Sequence, residues 1–325
     1  MINLYYLFRA TLWLLLAFGR ASWHFRGRTA RSIALPEGLV LSSGEKRRFQ
    51  HYFYGTTFLA TVMGSLRNRP RSRQEKLLFA NLSALAFCFD DLVELIRDNG
   101  DPAMHWQDNP EAYGQATDKR GLGLHLLHNI YRNLPENELL QFKAYMHRIF
   151  NVETASNQRQ PGAPGLEDLK KLTAEKGGYS VLLFRSLLHH TLSKAEENAL
   201  YQFGYLIQIC DDIFDLWHDR QAGIDTTATF FAGQGEVDLM VKKFEQQVAF
   251  TYQAFRQTQY PVVQVETAVH IIHYLISITR VCLHHYIDIK YSHGKMPLEN
   301  RTVIVVDMEK WSNRYLAAQN LLRPL

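Results

Sequence analysis

The chain has 325 residues, 46% of them hydrophobic, with 10 prolines, 19 glycines and a formal net charge of +4. It can bury a sizeable core, and so little proline and glycine argues against a fold of many short strands. The three cysteines, Cys88, Cys210 and Cys282, form no closely spaced pair. That argues against a disulfide framework or a structural zinc site and suits a reducing, cytoplasmic setting.

The charge is unevenly spread. Residues 1–80 hold 13 Lys and Arg against 3 Glu, whereas the remainder holds 23 against 29 acids. The N-terminal stretch NLYYLFRATLWLLLAFGR is apolar, but Arg9 interrupts it. The uninterrupted run from Ala10 to Gly19 is shorter than the ~20 residues of a typical membrane span. Residues 1–8 contain no Lys or Arg, so the basic start of a signal peptide is missing. Two readings stay open: a helix docked on the protein, or one lying on an anionic membrane surface as a peripheral contact. Residues 1–35 are therefore taken as an N-terminal extension, and 36–325 as one α-domain.

Prolines divide the rest into pieces of helical length, at about 43–66, 73–98, 119–133, 136–152, 166–191, 194–219, 236–258, 262–291 and 299–322. Apolar residues recur at three and four, not at two. Val303 to Val306 is the one short run of strand-like character. The basic stretch RNRPRSRQEK, Arg67 to Lys76, lacks any accompanying nucleic-acid motif and reads as a solvated loop. The expected fold class is all-α.

Two acidic combs stand out. In FCFDDLVELIRDNG, the pair Asp90 and Asp91 is followed by Glu94 and Asp98. In QICDDIFDLWHD, the pair Asp211 and Asp212 is followed by Asp215 and Asp219. Spacing of i, i+4, i+8 keeps Asp211, Asp215 and Asp219 within roughly 80° of one helix face. Each comb alone would serve as an acidic outer face. Two of them, each set in an apolar run, point to carboxylates that share a cation. An all-oxygen donor set suits Mg²⁺, which commonly completes its shell with substrate phosphates.

On these residues the chain resembles the class I isoprenoid synthases, which include terpene synthases and trans-prenyltransferases. Asp90 to Glu94 matches the first aspartate-rich motif. Asp211 to Asp219 reads either as the Asp-Asp-x-x-Asp of prenyltransferases, with FGYLIQICDDIFD and the later GIDT in that family's wider pattern, or as the terpene synthase metal triad with Asp at all three places. Lys176, in EKGGYSVLLF, matches the prenyltransferase lysine that holds diphosphate. Gly177 and Gly178 fall where the family has a broken helix, and glycines there call for a kink or a close approach. Arg314-Tyr315 resembles the terpene synthase pair that binds diphosphate on closure. Phe87, Tyr179 and Tyr205 are candidates for the wall of an apolar cavity.

The resemblance implies a helical bundle with a central cavity, an isoprenoid diphosphate substrate, and three Mg²⁺ ions bound with its diphosphate by Asp90, Asp91, Glu94, Asp211, Asp212, Asp215 and Asp219. Asp90, Asp211, Arg314 and Tyr315 are the expected catalytic groups. Lys176, Gly177, Gly178, Phe87, Tyr179, Arg314 and Tyr315 are the expected substrate contacts. A terpene synthase, acting as a diphosphate lyase, is the first expectation. The basic Gly-Gly-Lys-x-x-Arg-Pro segment of chain-elongating prenyltransferases and the Arg-Arg pair after their first motif are both missing. A trans-prenyltransferase, chain-elongating or of the squalene and phytoene synthase type, is the alternative, and a non-catalytic member of the fold a further one. A homodimer is left open, and no nucleic acid is expected.

Overall fold

The computed structural model describes residues 4–27, 42–89, 92–93, 119–157 and 165–323. Among these residues the chain is all-α, with thirteen helices and no strand. They are α1 (Leu4–Gly27), α2 (Ser43–Arg67), α3 (Arg73–Phe87), α4 (Lys119–Asn133), α5 (Glu136–Asn157), α6 (Leu166–Arg185), α7 (Lys194–Phe214), α8 (Leu216–Ala222), α9 (Thr227–Gly233), α10 (Val237–Arg256), α11 (Val262–His293), α12 (Arg301–Ile304) and α13 (Trp311–Leu321).

The helix starts are written locally. Ser42 and Ser72 each accept from the backbone of a glutamate three residues on, and that glutamate's side chain reaches back to the serine amide. These capping boxes satisfy two otherwise orphaned donors at the head of α2 and of α3. Asn68 ends α2 in the left-handed region at φ 47°, a conformation asparagine tolerates better than most residues.

Two compact units emerge. One contains α1 from Thr11, α2 to α5, and the stretch 182–191 that ends α6. In it α2 packs on α3, and α3 on α4. Glu75 is its buried node. Its carboxylate caps α3, pairs with Arg67 at 3.0 Å and accepts from the His189 amide at 3.4 Å. Desolvation pushes the Glu75 carboxyl up, but the Ser72 amide, Arg67 and the His189 amide together hold it below the usual range.

The other unit contains the first turns of α1 to Ala10, α6 to Val181, and α7 to α13. Its axis is α11, apolar on most of its faces and buried on them, which is the pattern of a core helix. Around it pack α7, α10 and α13.

Three expected elements differ. The run 166–191 stops at Arg185, because that buried guanidinium folds back onto the carbonyls of Leu188, His190 and Thr191. The run 194–219 divides at Asp215, and 299–322 divides into α12 and α13. Val303 and Ile304 of the strand-like run are helical, since four residues without a partner strand gain nothing from an extended backbone. None of the three cysteines forms a disulfide, and all are buried. Burial pushes the thiols of Cys210 and Cys282 up to about 12, leaving both unreactive.

Candidate metal and diphosphate site

The second comb is assembled from α6, α7 and α8. In α7, Leu200, Phe203, Leu206, Cys210 and Ile213 form the core stripe, each nearly or fully buried. Asp212 lies beside that stripe and is 5% exposed. Asp211 lies one position earlier and is exposed. The stripe is therefore what carries Asp212 into the protein and leaves Asp211 at its surface.

Asp215 closes α7 and opens α8, at φ −93° and ψ 8°. Its amide still donates to the Asp211 carbonyl at 2.9 Å, and the Asp219 amide to the Asp215 carbonyl at 2.8 Å. The comb so keeps helical register across the break. Gly223, at φ 67°, ends α8 in the left-handed region that glycine adopts without strain. Thr226, of the GIDT segment, then caps α9.

Glycines bring α6 onto α7. A Cβ on Gly177 would lie 2.1 Å from the Gly204 carbonyl oxygen, and one on Gly204 would lie 2.2 Å from the Gly177 oxygen. A Cβ on Gly178 would meet the Tyr201 ring at 2.4 Å. Helix α6 is continuous through this point. Of the two roles expected for Gly177 and Gly178, close approach is the one found, and the helix break implied by the resemblance is absent. Gly204 was not singled out in the sequence; its signal is a glycine inside an amphipathic helix, two turns before the acidic pair.

The crossing places α6 side chains at the pair. Thr173 Oγ1 donates to Asp212 Oδ2 at 3.3 Å. Gln208 Nε2 donates to Asp212 Oδ1 at 3.0 Å and to Asp211 Oδ2 at 3.3 Å. Neither Thr173 nor Gln208 was among the expected site residues. Gln208 had a sequence signal, an amide one turn before two carboxylates, while Thr173 depends on the helix crossing. Lys176 supplies positive charge that favours ionised Asp211, Asp212 and Asp219.

That charge does not offset the rest. Desolvation, then the neighbouring Asp211, pushes Asp212 up to about 7 against the pull of Gln208, Lys176 and Thr173. Asp219 also reaches about 7, through desolvation and then the charges of Asp212, Asp215 and Asp211. Asp211 is raised by desolvation and then by Asp215. Because its side chain keeps solvent contact, the like charge is the firmer of those two causes. Tyr205 is raised by desolvation and then by Asp212.

Among the described residues no three acidic, histidine or cysteine side chains converge closely enough to enclose a metal ion. The donor set nonetheless fits a hard divalent cation: it is all-oxygen, and desolvation with the crowding of like charge raises Asp211, Asp212 and Asp219 above the usual carboxylate range.

The first comb, Asp90, Asp91, Glu94 and Asp98, lies outside the described residues. Phe87, in the other unit, is buried with its ring edge-on to Phe49 at 6.0 Å. Tyr179 packs edge-on to Tyr201 at 5.4 Å. Arg314 donates from Nε to the Met308 carbonyl at 3.1 Å, and its guanidinium lies 5.5 Å from the Trp311 ring centroid. Trp311 is 81% and Tyr315 67% exposed. An open depression of about 600 Å³ lies at Arg220, Lys295, Glu299 and Arg301 and includes none of the expected site residues.

No family model matches the sequence, and no curated protein matches it. Among solved structures the chain is similar to a geranylgeranyl pyrophosphate synthetase from the archaeon Geoglobus acetivorans, at 14% identity and a TM-score of 0.48, over 80% of this chain and 97% of that one. A likeness this loose carries no functional weight.

Proposed function

We propose that the chain is a Mg²⁺-dependent enzyme acting on isoprenoid diphosphates, of the trans-prenyltransferase type. The observation that carries this reading is the junction of Thr173 and Lys176 on α6 with Gln208, Asp211 and Asp212 on α7. It supports the prenyltransferase reading of the second motif, because it brings the lysine expected to hold diphosphate close enough to the acidic pair to act on its charge. The Arg314-Tyr315 pair favoured a cyclase in the sequence. Here Arg314 donates to the Met308 carbonyl and lies over Trp311, and Tyr315 is exposed, so the prenyltransferase reading draws its support from the α6–α7 junction and not from this pair.

Asp211, Asp212, Asp215 and Asp219 would hold the metal; Asp90, Asp91 and Glu94, the further ligands expected from the sequence, lie outside the described residues. When bound, Mg²⁺ supplies Lewis-acid stabilisation to the departing diphosphate. The protein's own share is preorganisation. Gln208 holds the two carboxylates of the pair in one orientation, and Thr173 fixes the buried one. Lys176 adds a charge-assisted donor for diphosphate oxygens. The glycine crossing sets the spacing between that donor and the acids.

The test is diphosphate release from C10 to C25 allylic diphosphates with Mg²⁺, with and without a homoallylic diphosphate, followed by mass spectrometry of the products. A chain-elongating transferase requires both substrates and yields a joined chain. Release from the allylic substrate alone with a product of the same carbon number would return the assignment to the terpene synthases, and a product of twice that carbon number would mark a head-to-head transferase. No turnover under any combination would leave a non-catalytic member of the fold.

A further inference from the structure

Helix α1 presents two different faces. In one unit, Tyr6 packs 5.7 Å from His270, Arg9 Nε donates to Thr267 Oγ1 at 3.3 Å, and Ala10 is fully buried. In the other, Trp13 lies against Gly64, and Phe18 stacks on Tyr54 at 5.9 Å. The remaining arc is exposed and apolar. Leu4 is 70%, Phe8 68% and Leu15 67% exposed, and Leu12 and Leu16 are exposed with them. At 100° per residue these five side chains fall within about 120° of one another, with no charged residue among them. So much contiguous apolar surface on one helix is the mark of an interaction site.

The charge around this face selects its occupant. Among the residues of α1 whose side chains are described, Arg9 and Arg20 are the charged ones, and there is no acid. A protein partner would have to be both apolar and acidic, whereas an anionic bilayer surface is both over any area. Helix α1 does not qualify as a span. Among the described residues the one helix long and apolar enough to cross a membrane is α11, which is mostly buried in the core. An apolar stripe bordered by arginine, on a helix anchored by its other side, is the construction of an interfacial helix.

We infer that Leu4, Phe8, Leu12, Leu15 and Leu16 insert into the surface of an anionic membrane, so that the folded protein sits on a bilayer with α1 in the interface plane. The inference is independent of the chemistry proposed at the acidic comb.

Co-sedimentation of the full chain with vesicles tests it, comparing pure phosphatidylcholine with phosphatidylcholine containing phosphatidylglycerol. The wild type is expected to partition onto the anionic vesicles and to be released by salt. Leu12→Glu/Leu15→Glu should lower that partition by about tenfold or more, with an unchanged thermal melt because both side chains are exposed. Phe8→Trp gives a second readout on an undisturbed fold: its added emission should shift to the blue when anionic vesicles are supplied. Wild-type protein that stays in the supernatant, or a double variant that binds as well as wild type, would overturn the inference. So would a dimer that the double variant turns into a monomer without any vesicle binding, which would assign the face to a second copy of the chain.

Discussion

Gln208 donates to both carboxylates of the acidic pair, and Thr173 donates to the inner one. Asp212 is therefore held by neutral donors while its charge is opposed by its neighbours. Asp211→Asn and Asp212→Asn should lower turnover by about 10²–10³, the loss typical of removing one preorganised electrostatic contact. Thermal melts of the same variants in EDTA should be unchanged or slightly raised, since each substitution relieves repulsion between acids. A melt that falls sharply in EDTA would make these residues structural. Arg314→Lys separates the cyclase reading at the same scale. It keeps the charge and loses the planar fork. With Arg314 turned to Met308 and Trp311, diphosphate release should stay within about threefold of wild type, far from the loss of about 10²–10³ expected if the fork held diphosphate. Asp211, Asp212, Asp215, Asp219 and Lys176 were all legible as candidates, because charge set among apolar neighbours is visible in one dimension. Thr173 was not, because its role exists only where two helices cross.

The crossing of α6 and α7 decides what the glycines do. Gly177 and Gly204 each leave the other's backbone no room for a Cβ. Gly177→Ala or Gly204→Ala should destabilise by about 1–3 kcal/mol, the overpacking cost exceeding the gain in helix propensity of up to about 1 kcal/mol. Gly55, in the middle of α2, has open space where a Cβ would stand, with no neighbouring atom within 4 Å. Gly55→Ala should stabilise by about 0.5–1 kcal/mol for the same propensity reason. Urea unfolding of the three variants checks both signs. If all three moved together, the close approach would be wrong. A helical pattern reports that a glycine sits in a helix, and not which neighbour needs its missing side chain.

Across the core around α11, His273 carries a pH dependence. It is fully buried, with the Tyr252 hydroxyl 2.8 Å from its Nδ1. Desolvation, then the charges of Arg280 and His270, depress the imidazole to about 4 from an ordinary 6.5. Between those values the unfolded chain binds the proton and the folded one does not. Stability is thus full above pH 6.5 and is lost as pH falls toward 4, by on the order of 3 kcal/mol. His273→Gln should remove that component, so the difference in unfolding free energy between variant and wild type should narrow as pH drops from 7.5 to 4.5. An unchanged difference would mean the histidine titrates alike in the folded and unfolded chain. The sequence by itself determined the all-α class, most helix positions and the acidic comb of α7 and α8, because apolar periodicity, capping serines and like charge in an apolar run are local properties of the chain. Tertiary structure alone decided why the glycines of α6 are needed, which side of α1 is held and which is left exposed. Each of those depends on a neighbour distant in sequence, and a residue's periodicity contains no record of what it will pack against.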